Sequence, residues 1–383
     1  MYQRSAEYTL RELAKFYPVV SVTGPRQSGK TTLTRKTFPE KKYISLENLD
    51  HRRFAEKDPR RFLAQSENGL IIDEAQNCPD LFSYIQGLVD EQKDPGKYIL
   101  TGSQQFGLMT GITQSLAGRV GIIELLPFSI KEIETKIISV DETLSNGFYP
   151  PIYDRNIPSD LWYADYIRTY VERDVRKLIQ IKDLSLFQKF LRLCAARAGH
   201  LINFTELSNS TGIDVRTVKS WISVLEASYI IFLLQPHYRN LSKKLVKTPK
   251  LYFYDVGLLS HLLQLRKEDI SITPYRGNLF ENMIIGDIYK TKLNFRKNIN
   301  FYFWRDNKGV EVDLVYEENQ KIHAIEIKSN STINESFFKN LSLYKKYLGT
   351  DFGEAHLIYG GPENQLREHF KIHSWKNSNQ IFD

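Results

Sequence analysis

The stretch GPRQSGKTT, at Gly24–Thr32, constrains the fold of this chain more than any other feature of the sequence. It lies between an apolar run, VVSVT, and a helix-like run, TTLTRKTF. The spacing is that of GxxxxGK[ST], in which loop N–H groups and a helix N-terminus bind phosphate oxygens. The pattern therefore predicts a nucleotide-binding P-loop, and an ordinary glycine turn is the weaker alternative.

Each residue of this loop is a candidate nucleotide contact, and two of them carry further roles. Lys30 is expected to reach the β- and γ-phosphates as a catalytic group, and the Thr31 hydroxyl is expected to help ligate Mg²⁺. ATP and Mg²⁺ are therefore the predicted ligands, although no base-reading motif separates ATP from GTP. The predicted contact residues are Gly24, Pro25, Arg26, Gln27, Ser28, Gly29, Lys30, Thr31 and Thr32.

An acidic pair, Asp73 and Glu74, follows the apolar run GLII. This position places the Asp73 carboxylate at the carboxyl end of a central strand, where it can hold Mg²⁺ directly or through water. Glu74 is the candidate for polarising the attacking water. A solvated acidic turn is the alternative, and the presence of the P-loop argues against it.

Another strand, in KYILTGSQ, ends with Thr101, Ser103 and Gln104. One of these side chains is expected to contact the γ-phosphate or orient the water, and we take Ser103 as the nucleotide contact. Arg119, in SLAGRV, is a candidate catalytic arginine that acts in cis or on a neighbouring subunit. A structural role, in bonds to carbonyl groups, is its alternative. Action on a neighbour would require a homo-oligomer.

Length and composition exclude several classes of protein. The 383 residues favour two or three domains, and 42% hydrophobic with 25% charged residues is typical of a globular protein. No apolar run has the length of a membrane span, and the N-terminus has no apolar signal segment. Two isolated cysteines, Cys78 and Cys194, favour a reducing compartment. We therefore expect a cytoplasmic protein without membrane contact, and a net charge of +7 suits a partner with phosphates.

The pattern along the chain predicts an α/β protein with three regions. Residues 1–155 alternate apolar strands and amphipathic helices, which predicts a P-loop parallel sheet with flanking helices. Residues 160–265 are mostly helical, and residues 270–383 read as helix, strands, helix and strand. The predicted architecture is therefore a P-loop ATPase domain, a helical winged-helix region and a restriction-nuclease-like α/β domain.

The segment 203–235 has the spacing of a helix-turn-helix, with a turn at Thr211 and Gly212. Its apolar positions are Leu207, Ile213, Val218, Trp221 and Leu225. The residues expected to face DNA phosphates are Arg216, Thr217 and Lys219 on the second helix, and Lys243, Lys244, Lys247 and Lys250 on a β-wing. A helical subdomain that packs on the ATPase core is the alternative.

A second constellation of acids and a lysine lies near the C-terminus. Strand alternation places Glu326 and Lys328 on one face, and a hairpin would bring Asp313 opposite them. Two carboxylates there would bind Mg²⁺, and Lys328 would position or activate a water for attack on phosphate. Glu281, in a preceding helix, is a possible third acid. The set resembles the PD-(D/E)xK nucleases, although Val312 replaces the proline before Asp313. A solvated strand face is the alternative.

Taken together, the motifs resemble the bacterial and archaeal AAA-type ATPases that carry a C-terminal domain of unknown function. The resemblance rests on GPRQSGKTTL, LIIDEAQ, ILTGSQ, SLAGRVGIIELLPFS, YIRTYVERDV, FTELSNSTGIDVRTVKSWISVLE, LYFYDVGLL, and FWRDNKGVEVDLV with AIEIKS. It implies an ATPase core, a winged helix and a nuclease-like end domain. It also implies nucleotide roles for Lys30, Thr31, Asp73 and Glu74, and metal-site roles for Glu281, Asp313, Glu326 and Lys328.

Two functions fit this sequence. The first is hydrolysis of ATP with Mg²⁺, coupled to a C-terminal domain that binds or cuts DNA or RNA. The second is a slow nucleotide-gated switch that binds DNA or a protein partner, with the nuclease-like domain as a catalytically silent scaffold. Metal-dependent cleavage separates the two.

Overall fold

The computed structural model describes residues 2–92, 94–102, 105–171, 183–237 and 247–382. Four residues with predicted roles, Ser103, Gln104, Lys243 and Lys244, lie outside the described residues. The chain divides into two compact units. The first holds Met1–Phe128, Ala227–Tyr229 and Lys292–Lys297, and the second holds Ser129–Glu226, Ile230–Thr291 and Asn298–Asp383.

The first unit is built on a five-stranded parallel sheet. Its strands are β1 Val19–Thr23, β2 Lys42–Ser45, β3 Leu70–Asp73, β4 Tyr98–Thr101 and β5 Val120–Glu124, in the order β2-β3-β4-β1-β5. Its helices are α1 Ala6–Phe16, α2 Lys30–Thr37, α3 Leu49–Lys57, α4 Pro59–Leu63, α5 Leu81–Gln92 and α6 Gln105–Ser115.

Each central strand of this sheet is buried on both faces, because successive side chains point to opposite sides. Ile71 and Ile99 pack into one apolar core, with α1 and α2. Ile72 and Leu100 pack into a second core, with residues of α3 to α6. The helices therefore cover both faces, and the predicted P-loop sheet with flanking helices is confirmed.

The second unit begins with helices and ends with a sheet. Its helices are α7 Val140–Asn146, α8 Pro150–Asp154, α9 Ser159–Tyr166, α10 Leu184–Ala195, α11 Phe204–Thr211, α12 Val215–Ala227, α13 Val256–Leu262, α14 Arg276–Asn294 and α15 Lys339–Leu348. Its strands are β6 Ile231–Pro236, β7 Lys250–Phe253, β8 Phe301–Arg305, β9 Glu311–Glu318, β10 Lys321–Lys328, β11 Phe352–Tyr359, β12 Gln365–Arg367 and β13 Phe370–Ser374. No helix in the described part of the chain is long and apolar enough to cross a membrane.

These strands form one sheet in the order β12-β13-β11-β10-β9-β8-β6-β7. Strands β8, β9 and β10 are antiparallel, and β11 lies parallel to β10. The hairpin β6–β7 joins the same sheet, because β6 pairs parallel with β8. Strands from the predicted ranges 160–265 and 270–383 thus share a sheet.

Candidate functional site

The P-loop connects β1 to α2 through backbone angles that few residues adopt. Gly24 has φ +140°, and a Cβ there would lie 2.1 Å from the carbonyl oxygen of Leu125. Gly29 has φ +93° at the start of α2, and Gln27 between them has φ +63°. Alternation of left- and right-handed backbone is typical of loops whose N–H groups converge on an anion. The loop therefore has the local geometry of a phosphate cradle.

Lys30 is the first residue of α2, and its side chain folds into this loop. Its Nζ atom donates hydrogen bonds to the carbonyl oxygens of Gly24 (3.0 Å) and Pro25 (2.7 Å). Burial lowers the pKa of Lys30 to about 8, against the opposing effect of the Glu74 and Asp73 carboxylates. The ammonium group therefore lies within the loop, where a phosphate would meet it.

Asp73, at the end of β3, accepts hydrogen bonds at both of its carboxylate oxygens. Its Oδ2 atom accepts from the Thr31 hydroxyl (3.1 Å) and from the Tyr43 hydroxyl (2.7 Å). Its Oδ1 atom accepts from the Thr101 hydroxyl and from the Glu74 N–H (3.2 Å). The structure thus brings the two predicted magnesium ligands of this unit, Thr31 and Asp73, into contact.

Glu74 lies directly after the strand, in a left-handed conformation with φ +52°. Non-glycine residues with positive φ are uncommon, and such strain concentrates at functional sites. Its Oε2 atom accepts a hydrogen bond from the Gln76 side-chain amide. The two neighbouring carboxylates therefore point in different directions. The Asp73 carboxylate accepts from the Thr31 hydroxyl, and the Glu74 carboxylate accepts from the Gln76 amide.

Arg119 lies at the opposite edge of the sheet. It precedes β5, and Val120 pairs with Val19 at the start of β1, whereas the P-loop follows the end of β1. A strand rises about 3.3 Å per residue, so roughly 20 Å of sheet separates Arg119 from the loop. Its guanidinium donates instead to both oxygens of Asp90 (2.5 and 2.9 Å) and to the Ala117 carbonyl (3.0 Å). The structure thus places Arg119 away from its own P-loop, and a catalytic role for it, in cis or on a neighbouring copy, stays a prediction.

The C-terminal candidates converge on the hairpin β9–β10. Asp313 accepts a hydrogen bond at Oδ2 from the Ile327 N–H (2.8 Å), so it lies beside Glu326 and Lys328. The Lys328 Nζ atom is 2.7 Å from Oε1 of Glu326 and 4.0 Å from Oδ2 of Asp313. Glu281, on α14, is close enough to raise the pKa of both acids. All four predicted residues therefore belong to one cluster.

Burial is the main electrostatic feature of this cluster. It raises the pKa of Asp313 well above its usual range, and the negative charges of Glu326 and Glu281 act in the same direction. It also raises the pKa of Glu326, against the nearby Lys328 ammonium. The Oε2 atom of Glu326 is buried and makes no hydrogen bond within the described ranges. A buried carboxylate oxygen of this kind is unfavourable unless a cation or donor satisfies it, so the donor set fits a hard divalent ion.

The sequence did not predict that Lys250, Tyr252 and Glu311 belong to this cluster. Lys250 was expected on a DNA-binding wing, but its side chain is buried and its Nζ atom contacts Glu281 (3.2 Å) and Glu311. The Tyr252 hydroxyl also donates to Glu281. The prediction for Lys250 is wrong because β7 is part of the large sheet, which turns alternate residues toward α14. An apolar run, KLYFYD, was the available signal that this segment is a buried strand.

The predicted helix pair is present as α11 and α12, which Gly212 separates with φ +81°. Leu207, Val218 and Leu225 are fully buried, and Trp221 packs edge-on against Phe187 and Phe190. Arg216 and Lys219 are exposed on α12, and Lys247 is exposed before β7. Two basic side chains of α12 are thus exposed, while the β-hairpin that follows the helix pair belongs to the large sheet.

Three family models match parts of this chain, and one of them covers the P-loop. Residues 17–134 match the family described as AAA domain. Residues 138–269 and 276–377 match two domains of unknown function, DUF8612 and DUF4143. The Walker-type ATPase PABY2304 of Pyrococcus abyssi is similar in structure, with 15% identity, a TM-score of 0.47, and coverage of 68% of this chain and 96% of that one.

Two mycobacterial proteins are similar over most of the chain. The uncharacterized proteins Mb2031c of Mycobacterium bovis and Rv2008c of Mycobacterium tuberculosis are each 30% identical over 336 residues, which is 86% of this chain and 74% of theirs. The chain therefore belongs to the family of these two proteins, and its first unit carries the AAA domain of an AAA-type ATPase.

Proposed function

We propose that this chain binds ATP with Mg²⁺ at the P-loop and hydrolyses it. The contact between the Thr31 hydroxyl and Asp73 carries the proposal, because it joins two oxygen ligands from elements 42 residues apart. Mg²⁺ bound by these two side chains would neutralise charge on the β- and γ-phosphates. Lys30 would bind the same phosphates, since its ammonium already lies inside the loop.

The remaining residues of this site have supporting roles in the proposal. Glu74 would orient and polarise the attacking water. Its strained backbone directs its carboxylate away from the Thr31 hydroxyl, which donates its hydrogen bond to Asp73 instead. Tyr43 and Thr101 would position Asp73, because each donates a hydrogen bond to a different carboxylate oxygen. A fixed carboxylate holds a metal in one geometry without reorganisation.

We expect Asp73→Asn to reduce ATP hydrolysis at least about 100-fold, since the amide removes the negative charge that holds the metal. Steady-state phosphate release with Mg²⁺ measures the loss, and excess EDTA should abolish release by the wild-type protein. Asp94→Asn, at an exposed turn, is the matched control and should keep full activity. Equal rates for Asp73→Asn and wild type would contradict the role of Asp73.

We also propose that the second unit acts on nucleic acid, with Asp313 and Glu326 as ligands of a divalent ion and Glu281 as a third acid. The helix α14, the meander β8–β9–β10, the helix α15 and the parallel strand β11 follow the order expected for the PD-(D/E)xK resemblance. The Oε2 atom of Glu326, which is buried and has no hydrogen-bond partner in the described part of the chain, is the specific observation that favours a bound cation. The ion would supply a polarised water and charge neutralisation at phosphate. Lys328, which contacts both acids, would hold that water in position.

A silent scaffold remains the competing function for this cluster. Lys250 favours it, because one internal ammonium already contacts Glu281 and Glu311. Incubation of the full chain with single- and double-stranded DNA and RNA, with Mg²⁺ or Mn²⁺, separates the two. Cleavage products support the nuclease, whereas intact substrates under all conditions support the nucleotide-gated switch. Each incubation should be run once with ATP and once without it, because the proposal couples nucleic-acid cleavage to ATP hydrolysis.

We further propose that α12 contacts nucleic-acid phosphates, because Arg216 and Lys219 are exposed near its N-terminus. We expect Arg216→Glu or Lys219→Glu to weaken DNA binding and to reduce the slope of log affinity against log salt by about one. Fluorescence anisotropy at several salt concentrations measures both quantities. Lys57→Glu, on α3, makes the same change in net charge and should leave the slope unchanged. An unaltered slope for both α12 variants would assign this face to a protein contact.

A further inference from the structure

A second group of ligand-type side chains lies on the other face of the large sheet. His323 on β10 and Glu354 and His356 on β11 each offer one ligand atom, and these atoms all lie within 4.8 Å of one another. Because side chains alternate along a strand, His323 points away from the face that carries Glu326 and Lys328. The group is therefore separate from the cluster around Asp313. The pairing of β10 and β11 is irregular between Ile322 and Ala324, which brings His323 beside Glu354.

His356 is the buried member of this group, with 1% of its surface exposed. Its Nδ1 atom lies 3.1 Å from Nε2 of His373. Its Nε2 atom is buried, makes no hydrogen bond to any residue that the structure describes, and lies 3.5 Å from Oε2 of Glu354. A buried polar atom without a partner is rare in native structures and costs free energy. A cation between this nitrogen and the carboxylate would satisfy both atoms.

The surroundings prepare His356 to be a ligand. With the proton on Nδ1, its ring donates to His373, and the Nε2 lone pair faces Glu354. Metal-binding histidines usually donate their second N–H to a partner in this way. Burial lowers the pKa of His356 to about 3 and also lowers the pKa of His373. A neutral imidazole with a free lone pair is the form that binds metals.

Glu354 and His323 are also oriented by neighbours. The Oε1 atom of Glu354 contacts Lys371 Nζ (2.6 Å), which leaves Oε2 directed at His356. The Nδ1 atom of His323 accepts a long hydrogen bond from the backbone N–H of Glu354 (3.3 Å), and an ion bound at Nδ1 would replace this hydrogen bond. Tyr316 stacks on the His323 ring, with centroids 4.8 Å apart and planes at 14°.

We propose that His323, Glu354 and His356 form a site for a divalent transition-metal ion of the Zn²⁺ class. Two imidazoles and one carboxylate form a ligand set that suits Zn²⁺ or Co²⁺, whereas Mg²⁺ prefers oxygen ligands alone. The exposed side of Glu354 leaves room for water as a further ligand. The ion would tie β10 to β11 at the irregularity in their pairing, and Lys371 and His373 would hold its ligands from outside.

The test uses full-length protein that has been stripped with a chelator and dialysed. Co²⁺ is added first, because its visible absorption bands report nitrogen ligands, and Zn²⁺ is then titrated to displace it. We expect one ion per chain at this site. Glu354→Gln and His323→Gln should each weaken Zn²⁺ binding at least about tenfold, and both residues are accessible enough for the variants to fold. His369→Gln, at an exposed histidine, is the matched control and should bind as wild type does.

A parallel titration of Asp313→Asn distinguishes this site from the proposed cleavage site. The proposal is supported if Asp313→Asn binds Zn²⁺ with the wild-type affinity while Glu354→Gln and His323→Gln bind it more weakly. Affinity lost in Asp313→Asn alone, or equal in all variants, overturns it. Absence of Co²⁺ bands in the wild type overturns it as well. Melting temperatures of the metal-free variants, compared with metal-free wild type, show that each variant has folded.

Discussion

Replacement of Lys30 by alanine is expected to abolish ATP hydrolysis, with a loss on the order of 100- to 1000-fold in turnover. The loss follows from the position of the ammonium group, which lies within the P-loop on the carbonyls of Gly24 and Pro25. A preorganised charge directed at a transferring phosphoryl group contributes an effect of about this size. Steady-state phosphate release with Mg²⁺ measures it. A second readout is nucleotide-linked stabilisation, because ATP should raise the melting temperature of the wild type and not of the variant.

Lys36→Ala is the matched control for this change. Lys36 lies on the same helix, but its Nζ atom contacts Glu7 (3.4 Å) at the surface and does not enter the loop. The Lys36→Ala variant should therefore hydrolyse ATP at the wild-type rate, since an exposed ion pair contributes little to the stability of the fold. Turnover by Lys30→Ala within tenfold of wild type, with both proteins folded, would show that the P-loop is not the hydrolytic site.

Asp313→Asn is expected to abolish metal-dependent cleavage of nucleic acid while leaving ATP hydrolysis intact. The amide is almost the same size, and its oxygen can still accept the hydrogen bond from the Ile327 N–H. It cannot supply the negative charge that holds a divalent ion, so cleavage should fall on the order of 1000-fold or more. Quantitative gel assays with Mn²⁺ measure the loss, and phosphate release on the same preparation measures ATP turnover.

Lys328→Ala provides an independent check at the same cluster. It removes the ammonium that contacts Glu326 and Asp313 without removing either carboxylate. Cleavage should fall while the ion still binds, which separates water positioning from metal binding. Glu318→Gln, at the exposed end of the same β9–β10 hairpin, serves as the control for the acidic change. Cleavage by Asp313→Asn at the wild-type rate would assign the activity elsewhere.

Local sequence patterns were sufficient for much of the fold and for part of each site. The P-loop spacing predicts Lys30 and Thr31 because a glycine loop and the helix that follows it are adjacent along the chain. Apolar runs that end in acids predict Asp73 at the carboxyl edge of a parallel strand. Alternation within IHAIEIK predicts that Glu326 and Lys328 share a face. In each case the interacting groups are a few residues apart.

Sheet order and register decided the rest, because they depend on contacts between distant segments. Tyr43 and Thr101 meet Asp73 only because β2 and β4 flank β3. Arg119 lies far from its own P-loop because β5 runs parallel to β1, so the start of β5 is beside the start of β1 and the P-loop follows the end of β1. Lys250 enters the carboxylate cluster because β6 pairs with β8 and draws β7 into the large sheet.

The P-loop and the group of His323, Glu354 and His356 differ in how far sequence patterns predict them. Gly24–Thr32 is a continuous segment, so its composition and spacing are enough to predict a phosphate-binding loop. His323 and His356 lie on different strands and follow no motif, and only the parallel pairing of β10 and β11 places them together. The sequence by itself thus determined the phosphate loop and the strand pattern. Tertiary structure decided which side chains from separate strands share a site, since strand register is set by packing of the whole sheet.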